Sequence, residues 1–433
     1  MRLSTGAWLG VALWLLAGAS DARAQDPYEV EIPALTRKWW SIGGHFEARP
    51  VTLDLDHESA AYRLRYFNVP TPDTVQPNLQ VLLDASIDKG PLAARVRTVG
   101  DLARVRGSWQ DDLSVYEAYL AWRPSPTVSV DAGKRTLKWG KGYAWNPVAF
   151  LDRPKNPDDP ALALEGFWTM SADVIRSGRG ALQTISFTPV LVPVSGRVNQ
   201  TLGRPEGLHT AGRLYLLWRD TDIDVMALAG EGAAPRFGFD VSRNITPAVE
   251  VHAEVARIGD AVDRRMGDDG RVAVTPAPAT SVLVGVRFLL PTNTTFVVEH
   301  YRNGPGISPD SLGAFVARVS DAWARWSAIG DAGPLSALAA VSQPFLQPTG
   351  MQDYLFVRAS QPDVFGVVYL NAALTAIVNE RDGSFSLTQE TTYKAATNFE
   401  LRSQFGWIAG GRGTDFGERQ ANLRWEVRAR YFF

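Results

Sequence analysis

The feature that most constrains this chain is a two-residue alternation of apolar and polar side chains, repeated in segments of about ten residues. In the last segment one set is Ala421, Leu423, Trp425, Val427, Ala429, Tyr431 and Phe433, and the other is Asn422, Arg424, Glu426, Arg428 and Arg430. Side chains that alternate in this way lie on opposite faces of a β-strand. The sequence therefore predicts an all-β protein whose strands have one apolar and one charged face.

The same alternation predicts about 18 strands, within a range of roughly 16–18, and the number is expected to be even. We place them at 39–53, 78–87, 91–99, 114–123, 128–139, 166–176, 182–190, 211–219, 222–230, 236–242, 249–257, 281–290, 294–302, 354–360, 365–379, 384–393, 398–407 and 421–433. Short turns alternate with connections that are mostly long, the long ones being 54–77, 100–113, 140–165, 191–210, 258–280, 303–353 and 408–420. This arrangement is typical of a transmembrane antiparallel β-barrel with short periplasmic turns and long extracellular loops.

The dimensions of the segments agree with a membrane-spanning barrel. A strand of ten residues is roughly 33 Å long, and a tilt of about 40° reduces its height to roughly 25 Å, the thickness of the apolar band of such barrels. Tryptophans near the strand ends predict aromatic girdles at the two membrane interfaces: Trp40, Trp122, Trp139, Trp168, Trp218 and Trp407. We therefore assign residues 39–433 to one barrel.

The N-terminus predicts export from the cytoplasm. Arg2 precedes a short apolar run at 7–18, and Ala22-Arg23-Ala24 forms a cleavage site, so residues 1–24 are predicted to be a signal peptide. Residues 25–38 would be a periplasmic leader. The chain has no cysteine, which excludes thiolate metal sites, and its net charge of −2 does not favour nucleic-acid binding. We expect no cofactor and no metal.

Two stretches resemble known outer-membrane proteins. The C-terminal run that ends in Phe433 is similar to the closing strand of bacterial outer-membrane proteins, in which the terminal aromatic residue is part of the signal read by the barrel-assembly machinery. Residues 133–147 (GKRTLKWGKGYAWNP) resemble a strand end and "N-P" motif of large porin-like barrels related to the alginate-export group. The second resemblance implies a monomeric barrel that passes a polar or anionic solute.

Charged residues on the predicted inner face are the candidate pore-lining residues. Arginines come from strands near the two chain ends, which barrel closure brings together: Arg49, Arg95, Arg97, Arg123, Arg135, Arg402, Arg424, Arg428 and Arg430. The middle strands contribute Asp222, Asp224, Glu250 and Glu254. Opposed arginine and acidic walls would produce a transverse field that selects anionic or polyhydroxylated solutes. Alternatively, the arginines pair with Glu47, Glu117, Glu400 and Glu426 and only fill the interior.

Two of the long connections carry further signals. In 303–353, helical spacing of apolar residues (Leu312, Phe315, Val316, Val319, Trp323 and Trp326) predicts a helix capped by Ser308 or Asp310, which could narrow the pore, form a lid or pack on the rim. Segment 140–165 is rich in proline, and Lys138, Lys141, Arg153 and Lys155 bring positive charge to it. It could capture anions, attach to anionic surface sugars or be a plain solvated loop, and we favour the last.

The residues do not predict an enzyme. The five histidines form no metal or catalytic motif, and His300 is the one candidate for a lipase at the lipid face. The sequence instead predicts an outer-membrane channel for small polar solutes, anions among them, narrowed or gated by its loops. The alternatives are an exporter or importer that works with a periplasmic complex, and a plugged structural or adhesive barrel.

Overall fold

The structure is a computed structural model that describes residues 38–69, 72, 74–267 and 270–433. The predicted signal peptide (1–24) and the predicted leader as far as residue 37 lie outside the described residues. From Trp40 onward the described chain is dominated by antiparallel strands.

The strands of the first half are β1 (Trp40–Ala48), β2 (Val51–Leu55), β3 (Val75–Gln76), β4 (Asn78–Lys89), β5 (Leu92–Val105), β6 (Ser108–Ser125), β7 (Val128–Arg135), β8 (Phe167–Ser177), β9 (Leu182–Val194), β10 (Gly207–Trp218) and β11 (Thr221–Gly230). Those of the second half are β12 (Ala233–Thr246), β13 (Val249–Ile258), β14 (Val262–Met266), β15 (Val272–Pro276), β16 (Ala279–Leu289), β17 (Thr295–Arg302), β18 (Asp353–Gln361), β19 (Leu370–Asn379), β20 (Phe385–Ala396), β21 (Phe399–Ala409) and β22 (Ala421–Phe432). The helices are α1 (Ala60–Tyr66), α2 (Pro309–Ile329), α3 (Gly333–Val341) and α4 (Gln343–Leu346).

The described residues form a closed barrel of 18 antiparallel strands, as the alternation predicts. Two barrel strands are interrupted: β1 and β2 form the first one, broken at Pro50, and β3 and β4 form the second, broken at Pro77. Proline has no backbone N–H for the strand ladder, which explains both breaks. Closure occurs where β22 pairs with β1, with Phe432 opposite His45. The β14–β15 hairpin is separate from the barrel and lies in the connection after β13.

The two faces of each strand have the environments that the alternation predicts. On β22, Trp425 is 50% exposed and Tyr431 is 44% exposed, whereas Glu426 and Arg428 are 2% and 5% exposed. In a closed barrel the exposed apolar face points outward and the shielded polar face points into the lumen. The outward face is therefore built to contact lipid.

The connection predicted at 100–113 is wrong, because these residues are strand. β5 continues to Val105 and β6 begins at Ser108, so the two strands meet in a two-residue turn at Arg106 and Gly107. Both turn residues have positive φ values, 53° and 81°, as tight hairpin turns require. The strands of a barrel can continue beyond the membrane, where both of their faces meet water.

One of the six tryptophans assigned to the girdles does not belong there. Five are exposed on the barrel strands: Trp40, Trp122, Trp168, Trp218 and Trp407. Trp139 is only 3% exposed, since β7 ends at Arg135 and Trp139 belongs to the following loop. It is buried in a cluster with Val148, Leu151 and Phe167. A tryptophan that follows an alternating strand thus cannot be assigned to the lipid face by spacing alone.

The helix predicted within 303–353 is confirmed as α2. Ser308 is its N-cap, and its hydroxyl accepts a hydrogen bond from the backbone N–H of Ser311 at 3.3 Å. Of the predicted stripe, Leu312, Phe315 and Val319 are buried. No helix among the described residues is both long enough and apolar enough to cross a membrane.

Candidate pore and the loops inside it

The loop between β7 and β8, residues 136–166, folds into the barrel, and we call it the inward loop. It is the segment that we expected to be a solvated surface loop, so that expectation is wrong. Asp152 fixes its first turn by accepting hydrogen bonds from the backbone N–H groups of Leu137 at 2.8 Å and Trp139 at 3.0 Å. Burial raises the pKa of Asp152, although these backbone hydrogen bonds favour its charged form.

Two glutamates of the barrel wall hold the inward loop on one side of the lumen. Glu254 on β13 accepts hydrogen bonds from the backbone N–H groups of Lys141 at 2.5 Å and Gly142 at 2.6 Å. Glu299 on β17 accepts from Tyr143 and, at 2.8 Å, from Ala144. Both carboxylates are fully buried, and such groups are stable only when they are hydrogen-bonded or paired.

Gly142 is required by this close contact. A Cβ atom at this position would lie 2.3 Å from the carbonyl oxygen of Trp145 and 2.8 Å from a methyl group of Leu283. Trp145 itself stacks on Tyr301 of β17, with ring centroids 5.0 Å apart. The glycine in the "GKGYAW" stretch therefore allows the loop to lie flat against the barrel wall.

The connection between β17 and β18, residues 303–352, also packs inside the barrel, and we call it the helical loop. Phe315 and Leu312 of α2 and Leu335 of α3 are fully or almost fully buried in one apolar cluster. The cluster includes inward-facing side chains of the barrel: Leu283, Val297, Tyr354, Phe356 and Ile377. This side of the lumen is therefore filled with protein, and any path for a solute must run along the opposite side.

The opposite side carries seven of the nine predicted arginines, which we call the arginine wall: Arg49, Arg95, Arg97, Arg402, Arg424, Arg428 and Arg430. Each has a carboxylate partner, including the glutamates named above as an alternative. Arg430 donates to Glu47 at 2.6 Å, Arg428 to Glu426 at 2.6 Å, and Arg95 to Asp84 at 2.5 Å. Arg97 also contacts Glu117 at 3.4 Å.

The remaining two predicted arginines belong to separate ion pairs, although Arg123 lines the same cavity as Arg95. Arg123 is at the periplasmic end of β6, half-exposed and 3.6 Å from Asp88. Arg135, at the opposite end of β7, pairs with Asp131 and lies over the ring of Tyr119 at 5.1 Å. Chain order alone did not separate these two from the other seven.

The arginine wall is nearly balanced in charge but unequal in exposure. The side chains of Glu47 and Glu426 are 1% and 2% exposed, whereas those of Arg95 and Arg424 are 35% and 41% exposed. Arg428 is buried, and Arg97 and Arg402 are no more exposed than their partners Asp84 and Glu390. Glu47 and Glu426, in contrast, lie behind Arg49, Arg424 and Arg430, so this part of the wall presents mainly guanidinium groups to the lumen. Because arginine stays protonated at any relevant pH, this surface remains positive.

The predicted acidic residues are not an open wall opposite the arginines. Asp222 accepts a hydrogen bond from Tyr215 at 2.5 Å, and Asp224 pairs with Arg213 at 2.6 Å and with Lys141 at 3.0 Å. Glu250 pairs with Arg287 at 2.7 Å. Together with the role of Glu254 as a loop anchor, these contacts show that the acidic side chains mainly hold the inward loop and basic neighbours.

Several residues of the site were missed by sequence reasoning. Glu299 could have been found, because alternation along β17 places it on the face opposite Val298 and His300. Asp240, fully buried on β12, could have been found in the same way. Asp159 could not, since it lies in a proline-rich loop with no periodicity and meets the arginine wall only through the tertiary fold.

Two cavities lie on either side of residues 157–161, which we call the partition segment. The cavity on the extracellular side has a volume of about 550 Å³ and is lined by Arg419, Arg424 and Asp158 with apolar residues of α1, α3 and α4. The cavity on the periplasmic side has a volume of about 280 Å³ and is lined by Lys141, Lys155, Arg287 and Glu250. The partition segment therefore contributes to the lining of both cavities.

Burial and neighbouring charges shift the pKa values of several charged groups in the inward loop. Burial raises the pKa of Asp158, and burial lowers the pKa of Lys155, whose ammonium group donates to the carbonyl of Gly142. Burial alone would raise the pKa of Asp159, but Arg402 and Arg428 outweigh it and hold that pKa below its usual range. Among the described residues, no group of three or more His, Asp or Glu side chains is arranged to hold a metal ion.

Comparison with solved structures assigns the fold. The chain is similar to OccK11 (OpdR) of Pseudomonas aeruginosa, with 10% identity, 91% of this chain and 96% of that chain covered, and a TM-score of 0.52. OccAB1 of Acinetobacter baumannii gives 7% identity, the same coverages and a TM-score of 0.52. OccK5 (OpdH) of Pseudomonas aeruginosa gives 12% identity, coverages of 91% and 98%, and a TM-score of 0.50. The chain has the fold of an outer-membrane porin.

The porin barrel and its lipid-facing apolar surface place the protein in the outer membrane of a Gram-negative bacterium. No protein-family profile matches the chain, and no curated protein matches it. The narrower resemblance to the alginate-export group has no support among these structures. At such low identities the similarity concerns the fold alone.

Proposed function

We propose that this porin is a channel for small polar solutes, that it favours anions, and that its loops narrow the path. The observation that supports the proposal best is the unequal exposure within the arginine wall, where Arg49, Arg424 and Arg430 face the lumen and their partners Glu47 and Glu426 are buried behind them. A surface of this kind lowers the energy of an anion in a narrow aqueous path and raises that of a cation.

The two inward-folded loops direct a solute to this surface. The helical loop fills the side of β16–β19, and the inward loop is anchored to Glu254 and Glu299. A solute would enter the extracellular cavity beside Arg419 and Arg424, pass the partition segment and leave through the cavity that Arg95 and Arg123 line at the periplasmic end. Gating by either loop belongs to this proposal.

The test is ion selectivity in planar bilayers. We expect the reversal potential of the purified barrel in a KCl gradient to indicate a preference for chloride. The double variant Arg95→Gln, Arg424→Gln is expected to reduce the anion-to-cation permeability ratio by roughly half or more. The control is Arg265→Gln, since Arg265 is 76% exposed on the β14–β15 hairpin outside the barrel. An unchanged ratio in the double variant would contradict the anionic preference.

Two other functions are tested by the same recordings. The extensive filling of the lumen by two loops also suits a plugged structural or adhesive barrel, which would give no stable conductance. A component of an exporter or importer would conduct only with its periplasmic partners. A lipase at the lipid face has little support, because Nδ1 of His300 pairs with Glu380 at 2.8 Å, and a serine would be needed there.

A further inference from the structure

Asp159 of the inward loop bridges two arginines of the opposite wall. Its Oδ2 atom accepts a hydrogen bond from Nη1 of Arg402 at 3.1 Å and from Nη2 of Arg428 at 3.3 Å. Arg402 lies on β21 and Arg428 on β22, which are adjacent strands whose residues 402 and 428 are directly paired. The two guanidinium groups therefore converge on one carboxylate oxygen.

The bond between Asp159 and this pair is weaker in geometry than the other bonds of the same arginines. Arg428 donates to Glu426 at 2.6 Å, and Arg402 makes a short bond to Glu390. Asp159 uses a single oxygen and makes one contact to each arginine, not the bidentate contact that gives the strongest arginine–carboxylate pairs. Of the carboxylates hydrogen-bonded to these two arginines, Asp159 therefore makes the longest contacts and is the partner best placed to leave.

Asp159 also holds the partition segment against the arginine wall. The earlier part of the inward loop is fixed independently by Glu254, Glu299 and Asp152, and residues 148–151 pack in an apolar cluster. Within the partition segment the backbone N–H groups of Asp158 and Asp159 bond only locally, to Asn156 at 3.1 Å and 3.0 Å. The side chain of Asp159 therefore provides the hydrogen bonds of this segment to the arginine wall.

We propose that Arg402 and Arg428 form an anion-binding site that the chain itself occupies with Asp159, and that a solute carboxylate displaces Asp159 and releases the partition segment. This inference rests on the proposed passage of anions, to which it adds the binding site and the competition. The competing group is chemically matched to the solute, because the side chain of aspartate is itself a carboxylate. Since the two arginines keep Asp159 ionised at neutral pH, the competition operates under ordinary conditions.

The experiment measures how succinate, a small dicarboxylate, reduces the chloride current of single channels. When an internal ligand already occupies a site, an external ligand can bind only while the site is free. Its apparent affinity is then the intrinsic affinity multiplied by the fraction of time that the site is free. We expect Asp159→Asn, which retains the shape of the side chain but not its charge, to lower the half-saturating concentration of succinate by about tenfold. Asp158→Asn is the matched control: it removes one charge from the same segment, and so raises the general preference for anions, but it leaves the bridge to the arginines, so its half-saturating concentration should fall much less.

A spin label supplies a second measurement that does not depend on current. The chain has no cysteine, so Leu162→Cys, at an exposed position just after the partition segment, gives a single site for labelling. Succinate is expected to increase the mobility of this label in the parent protein, whereas with Asp159→Asn the label is mobile without succinate. Equal succinate affinities in Asp159→Asn and Asp158→Asn, or a label whose mobility does not change, would overturn the inference. A parent channel without any anion preference would instead refute the proposed function.

Discussion

The carboxylate of Glu254 accepts a hydrogen bond of 2.6 Å from the backbone N–H of Gly142, a residue 112 positions earlier in the chain. This contact joins the middle of the barrel wall to the inward loop and places the loop inside the lumen. Because the carboxylate is buried, it is stable only when it is hydrogen-bonded, and the backbone N–H groups of the loop provide those hydrogen bonds.

We expect Glu254→Gln to loosen the inward loop. The substitution keeps the size of the side chain but replaces charge-assisted hydrogen bonds, each worth about 1.5–3 kcal/mol, and turns an amide N–H₂ toward backbone donors. Single-channel conductance should become larger and noisier, and the free energy of unfolding in urea should fall by about 2 kcal/mol or more. The control is Glu380→Gln, which affects a half-exposed pair with His300. Equal effects of the two variants would show that Glu254 is not an anchor.

Ion selectivity is expected to depend on pH through Asp158. Burial raises the pKa of Asp158, so as the pH falls from neutral this carboxyl takes up a proton before ordinary carboxyls do, and the extracellular cavity loses a negative charge. The anion-to-cation permeability ratio should therefore rise on mild acidification. With Asp158→Asn, the permeability ratio at neutral pH should equal the ratio that the parent channel reaches at acidic pH, and it should no longer change with pH. Asp111→Asn, on the β5–β6 hairpin, is the control and should retain the dependence.

Burial of Trp139 predicts a large difference between two tryptophan substitutions. Trp139→Ala removes a side chain that is 3% exposed and packed in an apolar cluster, so it is expected to lower the free energy of unfolding by about 3–5 kcal/mol. Trp168→Ala, at a position 41% exposed on the outer face, should lower the free energy of unfolding by clearly less. Urea unfolding in lipid vesicles gives both values, and a smaller loss for Trp139→Ala would contradict its placement inside the barrel.

Deletion of Phe433 is expected to impair assembly in two separable ways. The backbone N–H of Phe433 donates to the carbonyl of Gly44 at 3.1 Å, and its ring lies 5.0 Å from that of Phe46, so the residue helps to close the barrel. We also propose that it is read by the assembly machinery. Refolding into plain vesicles reports the first role, and the amount of folded barrel in cells reports both. A deletion that lowers neither would refute both roles.

The strands could be predicted from the sequence because each depends on local alternation. Leu423 and Arg424 must face opposite sides of β22 whatever the strand pairs with, and the same argument gives the number of barrel strands. The stripe that begins at Leu312 likewise predicts α2, because helix periodicity and the Ser308 cap are local properties. The position of the arginines on one wall follows from barrel closure, which joins the first strand to the last.

Where the loops pack was determined by the tertiary structure alone. The expectation for residues 140–165 failed because their proline and glycine content shows only that they are not strand, and it contains no information about Glu254, Glu299 or Arg402. The bridge from Asp159 to Arg402 and Arg428 joins residues 243 and 269 positions apart. Periodicity thus determined which faces meet lipid and which meet water, since alternation acts over two residues. How the water-filled interior is divided depended on long-range pairing of buried charges with backbone N–H groups, which local sequence patterns do not encode.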